Sequence, residues 1–176
     1  MSSKDLMKFG EGLMIKEVVT AHIYRGHRGF YSERPDETVC VNDLIVTTGR
    51  QYIARRIAGG DAQTAPGSAM AYMVIGSGAT APALTDGSTP GLYGEILRKA
   101  LSTNSAGITA ANIYTAVATF GGASDAVQSI AIQEAGIANH ASSGQGTLLQ
   151  RVTFSSVTLA ASDLLKITLE TNVGSS

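Results

Sequence analysis

Residues 164–171 read LLKITLET, and this stretch decides the fold class of the chain. Apolar side chains recur there at every second position, with polar side chains between them: Leu165, Ile167 and Leu169 against Lys166, Thr168 and Glu170. A period of two residues is typical of a β-strand that buries one face and exposes the other. We therefore predict a strand whose apolar side chains lie in the core of a β domain.

Other stretches along the chain have the same strand-like composition, rich in β-branched and aromatic residues and separated by turns that contain Gly, Pro or Ser. They cover residues 13–24, 30–33, 38–46, 71–75, 112–120, 127–134 and 147–154. Residues 93–101 fit a helix or a strand equally well. This order predicts a mainly β fold, as a β-sandwich or jelly-roll-like domain with one short α-helix.

The single helix is predicted near residues 49–58. Thr48 precedes it and Gln51 follows three residues later, which is the spacing of a capping box. An apolar stripe and then a glycine pair complete the pattern: Tyr52, Ile53, Ala54 and Ile57, then Gly59 and Gly60. Residues 1–12 are polar and contain glycine, so we expect an extended N-terminal arm, followed by one β domain over residues 13–176.

The chain is poor in charge for its length. Of its 176 residues, 15% are charged and 44% are hydrophobic, and the formal net charge is -1. Soluble domains average roughly 25% charged residues, so a surface this neutral is either unusual or partly covered by other subunits. We expect no general attraction to nucleic acid, no exported precursor and no membrane span, because neither a basic surplus nor a long apolar stretch is present.

The reactive residue types show no pattern of an enzyme. Cys40 is the only cysteine and lies between Val39 and Val41, which favours a buried, unreactive side chain. The histidines lack zinc-ligand spacing, and the glycines of residues 76–78 lack the lysine of a Walker loop, so they predict a plain turn. The 14 acidic residues are scattered, and no pair stands out from solvated surface charge. We expect no catalytic residue, cofactor or metal, and a long functional or mobile loop over residues 76–91.

Candidate contact residues lie in the arm, in a turn after the first strand and on the helix. Arginine is favoured at protein interfaces because its planar guanidinium pairs with carboxylates and backbone oxygens. Nucleic-acid binding requires a larger basic surplus and aromatic platforms, so subunit contact is the favoured interpretation, with plain solvated charge left open. The candidates are Lys4, Met7, Lys8, Phe9, Arg25, His27, Arg28, Arg50, Arg55 and Arg56.

From Asn42 to the end, the order of short motifs resembles a recurrent structural module of bacteriophage particles. NDLIVTTGRQYIA begins at Asn42, and a later strand ends in IGSG at Ile75. The following motifs are LYGEILR, ATF, IQEAGI, LLQRVTF and DLLKITL, at residues 92–98, 118–120, 132–137, 148–154 and 163–169. Each motif is short, and the resemblance rests on their order; residues 90–94 depart from it by lengthening the loop.

The resemblance implies a virion structural protein without catalytic residues. Members of this module are capsid decoration (cement) proteins and parts of tail or head fibres. The short chain favours the head, because a fibre needs a shaft or a receptor-binding tip beyond its attachment domain. The resemblance therefore implies a decoration protein that assembles in the host cytoplasm and lies on the outer capsid surface of the virion.

The partners implied by this resemblance are the major capsid protein and further copies of the chain, as a dimer or trimer, with neither nucleic acid nor membrane. The alternative is a tail-fibre, head-fibre or baseplate component involved in host attachment. A polysaccharide-binding or polysaccharide-degrading virion protein is a third hypothesis, and it requires an acidic or aromatic groove.

Overall fold

A computed structural model describes residues 13–26, 34–42, 44–57, 69–86, 91–101, 106–110, 113–122 and 124–175. Within these ranges the chain is mainly β, with two antiparallel sheets and one short helix. The elements are β1 (Leu13–Tyr24), β2 (Glu37–Asn42), β3 (Leu44–Ile45), α1 (Thr47–Ile57), β4 (Tyr72–Gly76), β5 (Glu95–Ala100), β6 (Ala106–Ala110), β7 (Ile113–Gly121), β8 (Ala131–Ala138), β9 (Leu148–Thr158) and β10 (Leu164–Ser175). No helix in the described part of the chain is long and apolar enough to cross a membrane.

Each sheet has five strands. The first has the order β2-β1-β10-β7-β6, and the second has the order β3-β9-β8-β4-β5. The longest pairing joins the first and last strands of the chain, from Leu13 opposite Ser175 to Tyr24 opposite Leu164. The two ends of the described chain are therefore held together in the middle of one sheet.

The apolar core draws on both sheets. Leu165, Ile167 and Leu169 of β10 are fully buried, as the alternation in LLKITLET predicts, whereas Glu170 is exposed. Buried side chains of the second sheet, including Met73 of β4, belong to the same cluster. Two antiparallel sheets around one shared core fit the predicted sandwich.

The segment predicted as one strand over residues 38–46 is divided between the sheets. β2 pairs with β1 in the first sheet, whereas Leu44 pairs with Arg151 of β9 in the second. Cys40 is exposed, so its predicted burial is wrong. The period of two explains this outcome, because Val39 and Val41 pack partly against the core and the residue between them faces the other way.

Other strand boundaries also differ from the predictions. β8 begins at Ala131 rather than at residue 127, and residues 93–101 contribute a strand, β5, rather than a helix. β6 lies outside every predicted strand, because AGITA has a weak strand propensity and is strand-like through its pairing with β7. The predicted strand over residues 30–33 and the arm over residues 1–12 lie outside the described residues.

The helix is observed close to its predicted position, but the predicted cap is wrong. Thr48 lies inside α1, and its hydroxyl donates a hydrogen bond of 3.0 Å to the carbonyl of Leu148 in β9. Gly49 lies directly against the backbone of Leu149, so close that a Cβ atom would collide with the Leu149 carbonyl. The helix is thus packed on β9 through a glycine, and the predicted glycine stop at Gly59 and Gly60 lies outside the described residues.

Candidate functional site

The connection between β4 and β5 packs against the second sheet. Leu92 in this loop forms a small apolar cluster with Val46, Val74, Ala138 and Leu148, separate from the main core. The described parts of the loop, residues 77–86 and 91–94, also contain the buried Asp86 and the exposed Tyr93. Sequence patterns predict a functional or mobile loop here, and in the structure these residues cover buried side chains of the sheet.

A β-bulge places a carboxylate under this loop. The register between β8 and β9 shifts between Ile132 and Glu134. Ile132 belongs to the main core, and regular alternation would direct Glu134 into that core as well. Instead, one carboxylate oxygen of Glu134 accepts hydrogen bonds from the backbone N–H groups of Gly78, at 2.9 Å, and Gly94, at 2.7 Å.

Arg151 of β9 forms two buried ion pairs in the same place. Its Nε donates to Glu134 Oε2 at 2.8 Å, and its Nη1 donates to Asp86 Oδ2 at 2.9 Å. The side chains of Arg151 and Glu134 have no exposed surface, and that of Asp86 has almost none. Charge-assisted bonds of this length are strong, and burial protects them from screening by salt.

Tyr93 covers this ion-pair cluster from the solvent side. The guanidinium carbon of Arg151 lies 4.6 Å from the centre of the Tyr93 ring, within the range of a cation–π interaction. The Tyr93 hydroxyl donates to Asp86 Oδ1 at 3.0 Å, and this hydrogen bond is the main cause that raises the pKa of Tyr93 above its ordinary value. Tyr93 as a whole residue is nevertheless 65% exposed, so its side chain is held in position while part of it remains open to contact.

The glycines around Glu134 are required for space. A Cβ atom on Gly78 would lie 2.6 Å from Glu134 Oε1, and one on Gly76 would collide with the same oxygen. The prediction that residues 76–78 form a plain turn therefore misses their role, because their backbone surrounds a buried carboxylate. Small residues allow the N–H group of Gly78 to approach that carboxylate closely.

A second buried ion pair holds the neighbouring loop between β8 and β9. Arg98 donates to both carboxylate oxygens of Glu95, at 2.6 Å and 2.9 Å. Its Nη1 also donates to the carbonyls of His140, at 2.7 Å, and Gln145, at 3.1 Å. Burial opposes ionisation of Glu95, but hydrogen bonds from Arg98 and Ser143 outweigh it and leave the pKa of Glu95 below its usual value.

The hydrogen bonds of Asp86, Glu134 and Arg151 indicate a structural role for this cluster. Every oxygen of Asp86 and Glu134 accepts at least one hydrogen bond from the protein. The two carboxylates are therefore engaged in holding the loop on the sheet. Among the described residues, Nη2 of Arg151 has no hydrogen-bond partner, and no group of three or more His, Cys, Asp or Glu is placed to hold a metal ion.

Arg25, a predicted contact residue, forms hydrogen bonds and ion pairs with other segments of its own chain. Its Nη1 donates to Asp163 Oδ2 at 2.8 Å and to the Thr158 carbonyl at 2.7 Å, which connects the end of β1 to the turn between β9 and β10. Burial opposes ionisation of Asp163, but hydrogen bonds from Ala160 N–H, Arg25 and Gly26 N–H outweigh it and lower its pKa. The ionised carboxylate of Asp163 therefore stabilises the contact between the end of β1 and the turn that joins β9 to β10.

The remaining predicted contact residues are not brought together by the described part of the structure. Arg50 is exposed on α1, and its Nε donates to the Ile45 carbonyl at 3.2 Å. Arg55 and Arg56 lie in the same helix, whose backbone alone is described at these positions. The others lie outside the described residues: Lys4, Met7, Lys8, Phe9, His27 and Arg28. Their role in subunit contact stays a prediction.

The buried charges were missed because the acidic residues looked like scattered surface charge. A usable signal was present: Glu134 interrupts the apolar run IAIQEAGIA, and Arg151 interrupts LLQRVTF. Charged residues within buried strands are rarely tolerated without partners, so each of these two residues indicates that an opposite charge lies nearby.

Comparisons with protein-family models, with curated proteins and with solved structures found no match.

Proposed function

We propose that this chain is a bacteriophage virion structural protein, and specifically a capsid decoration protein. It binds the outer surface of the head, bridges capsomers and stabilises the shell. The finer features of the fold prediction, a jelly-roll-like winding and an extended arm over residues 1–12, belong to this proposal. The observation that carries it is the placement of charge: ion pairs, fully buried at Arg151 and partly exposed at Arg25 and Lys99, connect separate elements of a charge-poor β domain.

The connection between the two sheets illustrates this use. Lys99 of β5, in the second sheet, donates to the Thr119 carbonyl of β7, in the first sheet, at 2.7 Å. The same ammonium donates to Asp125 Oδ2 at 2.8 Å, and Asp125 also accepts from the N–H group of Gly121. One lysine thereby links both sheets and the segment that follows β7.

Such links suit a protein whose task is mechanical. A decoration protein must keep its shape while the shell beneath it is under internal pressure. Arg25 with Asp163, Lys99 with Asp125, and Arg151 with Asp86 and Glu134 each connect segments that are far apart in sequence. These links hold the joined segments in one relative arrangement, because charge-assisted hydrogen bonds form only at short distances and favourable angles.

Attachment to the shell is assigned in this proposal to the arm over residues 1–12 and to the predicted turn over residues 25–29, which contains Arg25, His27 and Arg28. Because Arg25 already pairs with Asp163 and Glu37, Arg28 is the better test of the turn. In the arm, Lys4 and Lys8 supply positive charge, and Met7 and Phe9 supply apolar contacts. An arm of this composition gains order from a neighbour, since ordering each residue costs about 1–2 kcal/mol of backbone entropy.

The test mixes purified protein with undecorated particles and measures occupancy by cryo-electron microscopy. We expect the full chain to cover the head, and we expect deletion of residues 1–12 to reduce occupancy without unfolding the β domain. Arg28→Ala should weaken attachment further, and high salt should reproduce part of that loss. Arg34→Ala, at an exposed position after the same turn, serves as the control and should leave occupancy unchanged.

Two results would contradict the proposal. Density for the chain on the tail rather than on the head would favour a tail-fibre or baseplate component. If the correctly folded protein binds no part of the particle, the proposal that it is a virion structural protein is rejected. Unchanged occupancy after deletion of residues 1–12 would remove the arm from the mechanism but leave the decoration role in place.

A further inference from the structure

Two neighbouring loops form one surface on the outer side of the second sheet. We define the loop surface as the exposed residues within the described ranges 77–86 and 91–94 of the β4–β5 loop and 139–147 of the β8–β9 loop. The β8–β9 loop is held on β5, because Arg98 donates to the carbonyls of His140 and Gln145 and its Glu95 partner accepts a hydrogen bond from Ser143. The two loops are neighbours at Gly91, where a Cβ atom would lie 3.7 Å from the backbone nitrogen of Gly144. Both loops are therefore fixed to the same strand, β5.

The loop surface contains the exposed large hydrophobic side chains of the described chain. Leu84 is 45% exposed and Tyr93 is 65% exposed, and both lie in the β4–β5 loop. Elsewhere in the described residues, large apolar side chains are buried or partly buried. Both exposed side chains thus belong to one loop, and exposed large apolar groups that are confined to one region indicate a contact surface.

The loop surface also lacks exposed Lys, Arg, Asp and Glu side chains, and the one exposed residue there that can carry charge near neutral pH is His140. Within its described ranges there is no Lys, Arg or Glu, and the one acidic residue, Asp86, is buried. The adjoining Glu95 and Arg98 point their charges at each other, with side chains almost fully buried. The exposed residues are instead small or uncharged, such as Ala83, Ala141 and Gln145. Depletion of charge together with an exposed tyrosine is characteristic of the centre of a protein interface.

The Tyr93 side chain is held in place within the chain, before any partner binds. Arg151 lies against one side of its ring, and Asp86 accepts its hydroxyl hydrogen bond. Leu84 is held through its backbone, because its carbonyl accepts a hydrogen bond of 2.8 Å from the N–H group of Thr47 at the start of α1. A side chain ordered before binding loses little conformational entropy in the complex, so it contributes more of its contact energy to affinity.

We propose that the loop surface is the contact between two copies of this chain, arranged with two-fold symmetry and with loop surface against loop surface. In such a contact each patch meets an identical patch, so an exposed charge near the axis would face its own like charge. A surface without exposed Lys, Arg, Asp and Glu side chains avoids this repulsion, which makes a second copy a better occupant than a partner of opposite charge. The inference rests on the loop surface alone, so it is tested separately from attachment to a shell.

The experiment is sedimentation velocity on the full chain over a range of protein concentrations, without phage particles. We expect a dimer that dissociates on dilution. Leu84→Ser and Tyr93→Ser should each weaken the association constant by at least about tenfold, as expected for central interface residues. The matched control is Tyr24→Ser, which removes a partly exposed tyrosine from β1 in the first sheet and should leave association unchanged.

A charge inserted into the loop surface gives a second, independent readout. Ala141 is exposed in the β8–β9 loop, so Ala141→Glu changes surface charge without disturbing a buried contact. We expect this variant to remain folded by circular dichroism and to dissociate at higher concentrations than the wild-type chain. It keeps the test valid even if Tyr93→Ser disturbs the ion-pair cluster.

Three outcomes would overturn the inference. The first is a wild-type chain that stays monomeric at all concentrations. The second is a dimer that neither Leu84→Ser nor Ala141→Glu weakens. The third is a monomeric chain whose loop-surface variants lose binding to particles, since that result would assign the loop surface to the shell instead.

Discussion

Arg151 and Glu134 lie side by side on neighbouring strands, with Nε of the arginine 2.8 Å from Oε2 of the glutamate and neither side chain exposed. Regular alternation along β8 would place Glu134 in the apolar core, and the β-bulge after Ile132 directs it to the other face of the sheet. There it meets both Arg151 and the backbone of the β4–β5 loop. One irregularity in strand pairing thus determines where the β4–β5 loop is held.

Replacement of Arg151 by methionine should strongly destabilise the fold. The variant leaves Asp86 and Glu134 buried without their shared cation, and breaking a buried ion pair from one side costs about 3–5 kcal/mol. Urea unfolding monitored by circular dichroism measures this loss. Arg34→Met, at an exposed position, is the control and should change the unfolding free energy by less than about 0.5 kcal/mol. Equal stability of the two variants would show that the cluster contributes nothing to folding.

Truncation of Ile167 tests the core between the sheets. Ile167 is fully buried in β10, between Ala21 of β1 and Ala118 of β7. Ile167→Ala should lower the unfolding free energy by about 2–5 kcal/mol, because it removes buried apolar contacts and leaves a cavity. Thr168→Ala, at the next and partly exposed position, should cost far less. A larger loss for Thr168→Ala would contradict the assigned faces of β10.

Gly49→Ala should displace the helix from β9. The new Cβ atom would collide with the backbone carbonyl of Leu149, which cannot move aside as a flexible side chain can. Overpacking of this kind costs roughly 1–3 kcal/mol. The matched control is Thr47→Ala, at an exposed position of the same helix. Chemical denaturation of both variants provides the comparison, and an unchanged or increased stability for Gly49→Ala would show that this contact is not tight.

Asp163 should make the stability of the domain depend on acidic pH. Its pKa is lowered in the folded state, so its stabilising contribution is present above the unfolded value, about 3.9, and is lost as pH falls through the lower folded value. Asp163→Asn should therefore cost about 1.5–3 kcal/mol near pH 7, the value of hydrogen bonds to a charged group. The difference from the wild-type chain should shrink below pH 4.

Urea unfolding at pH 7 and at acidic pH measures this difference for Asp163→Asn. Glu170→Gln removes a carboxylate from an exposed position in β10 and should change the unfolding free energy by less than about 0.5 kcal/mol. If the difference in unfolding free energy between the wild-type chain and Asp163→Asn stays constant across this pH range, ionisation of Asp163 does not stabilise the contact between β1 and the β9–β10 turn.

Local patterns in the sequence predict the strands whose pairing is regular. The alternation in β10 identifies both the element and its buried face, because a period of two residues depends only on neighbours along the chain. The helix is found for the same reason, since residues one turn apart share a face. Composition alone also indicates a neutral surface, which the charge-poor loop surface illustrates.

The sequence by itself therefore determined the mainly β character, the buried face of β10 and the approximate position of the helix. The tertiary structure alone decided the division of residues 38–46 between two sheets, the bulge before Glu134 and the ion pairs of Arg151. These features join residues far apart in the chain, such as Asp86 and Arg151. Their geometry depends on which strands become neighbours, and a periodicity that repeats every two residues contains no information about that choice.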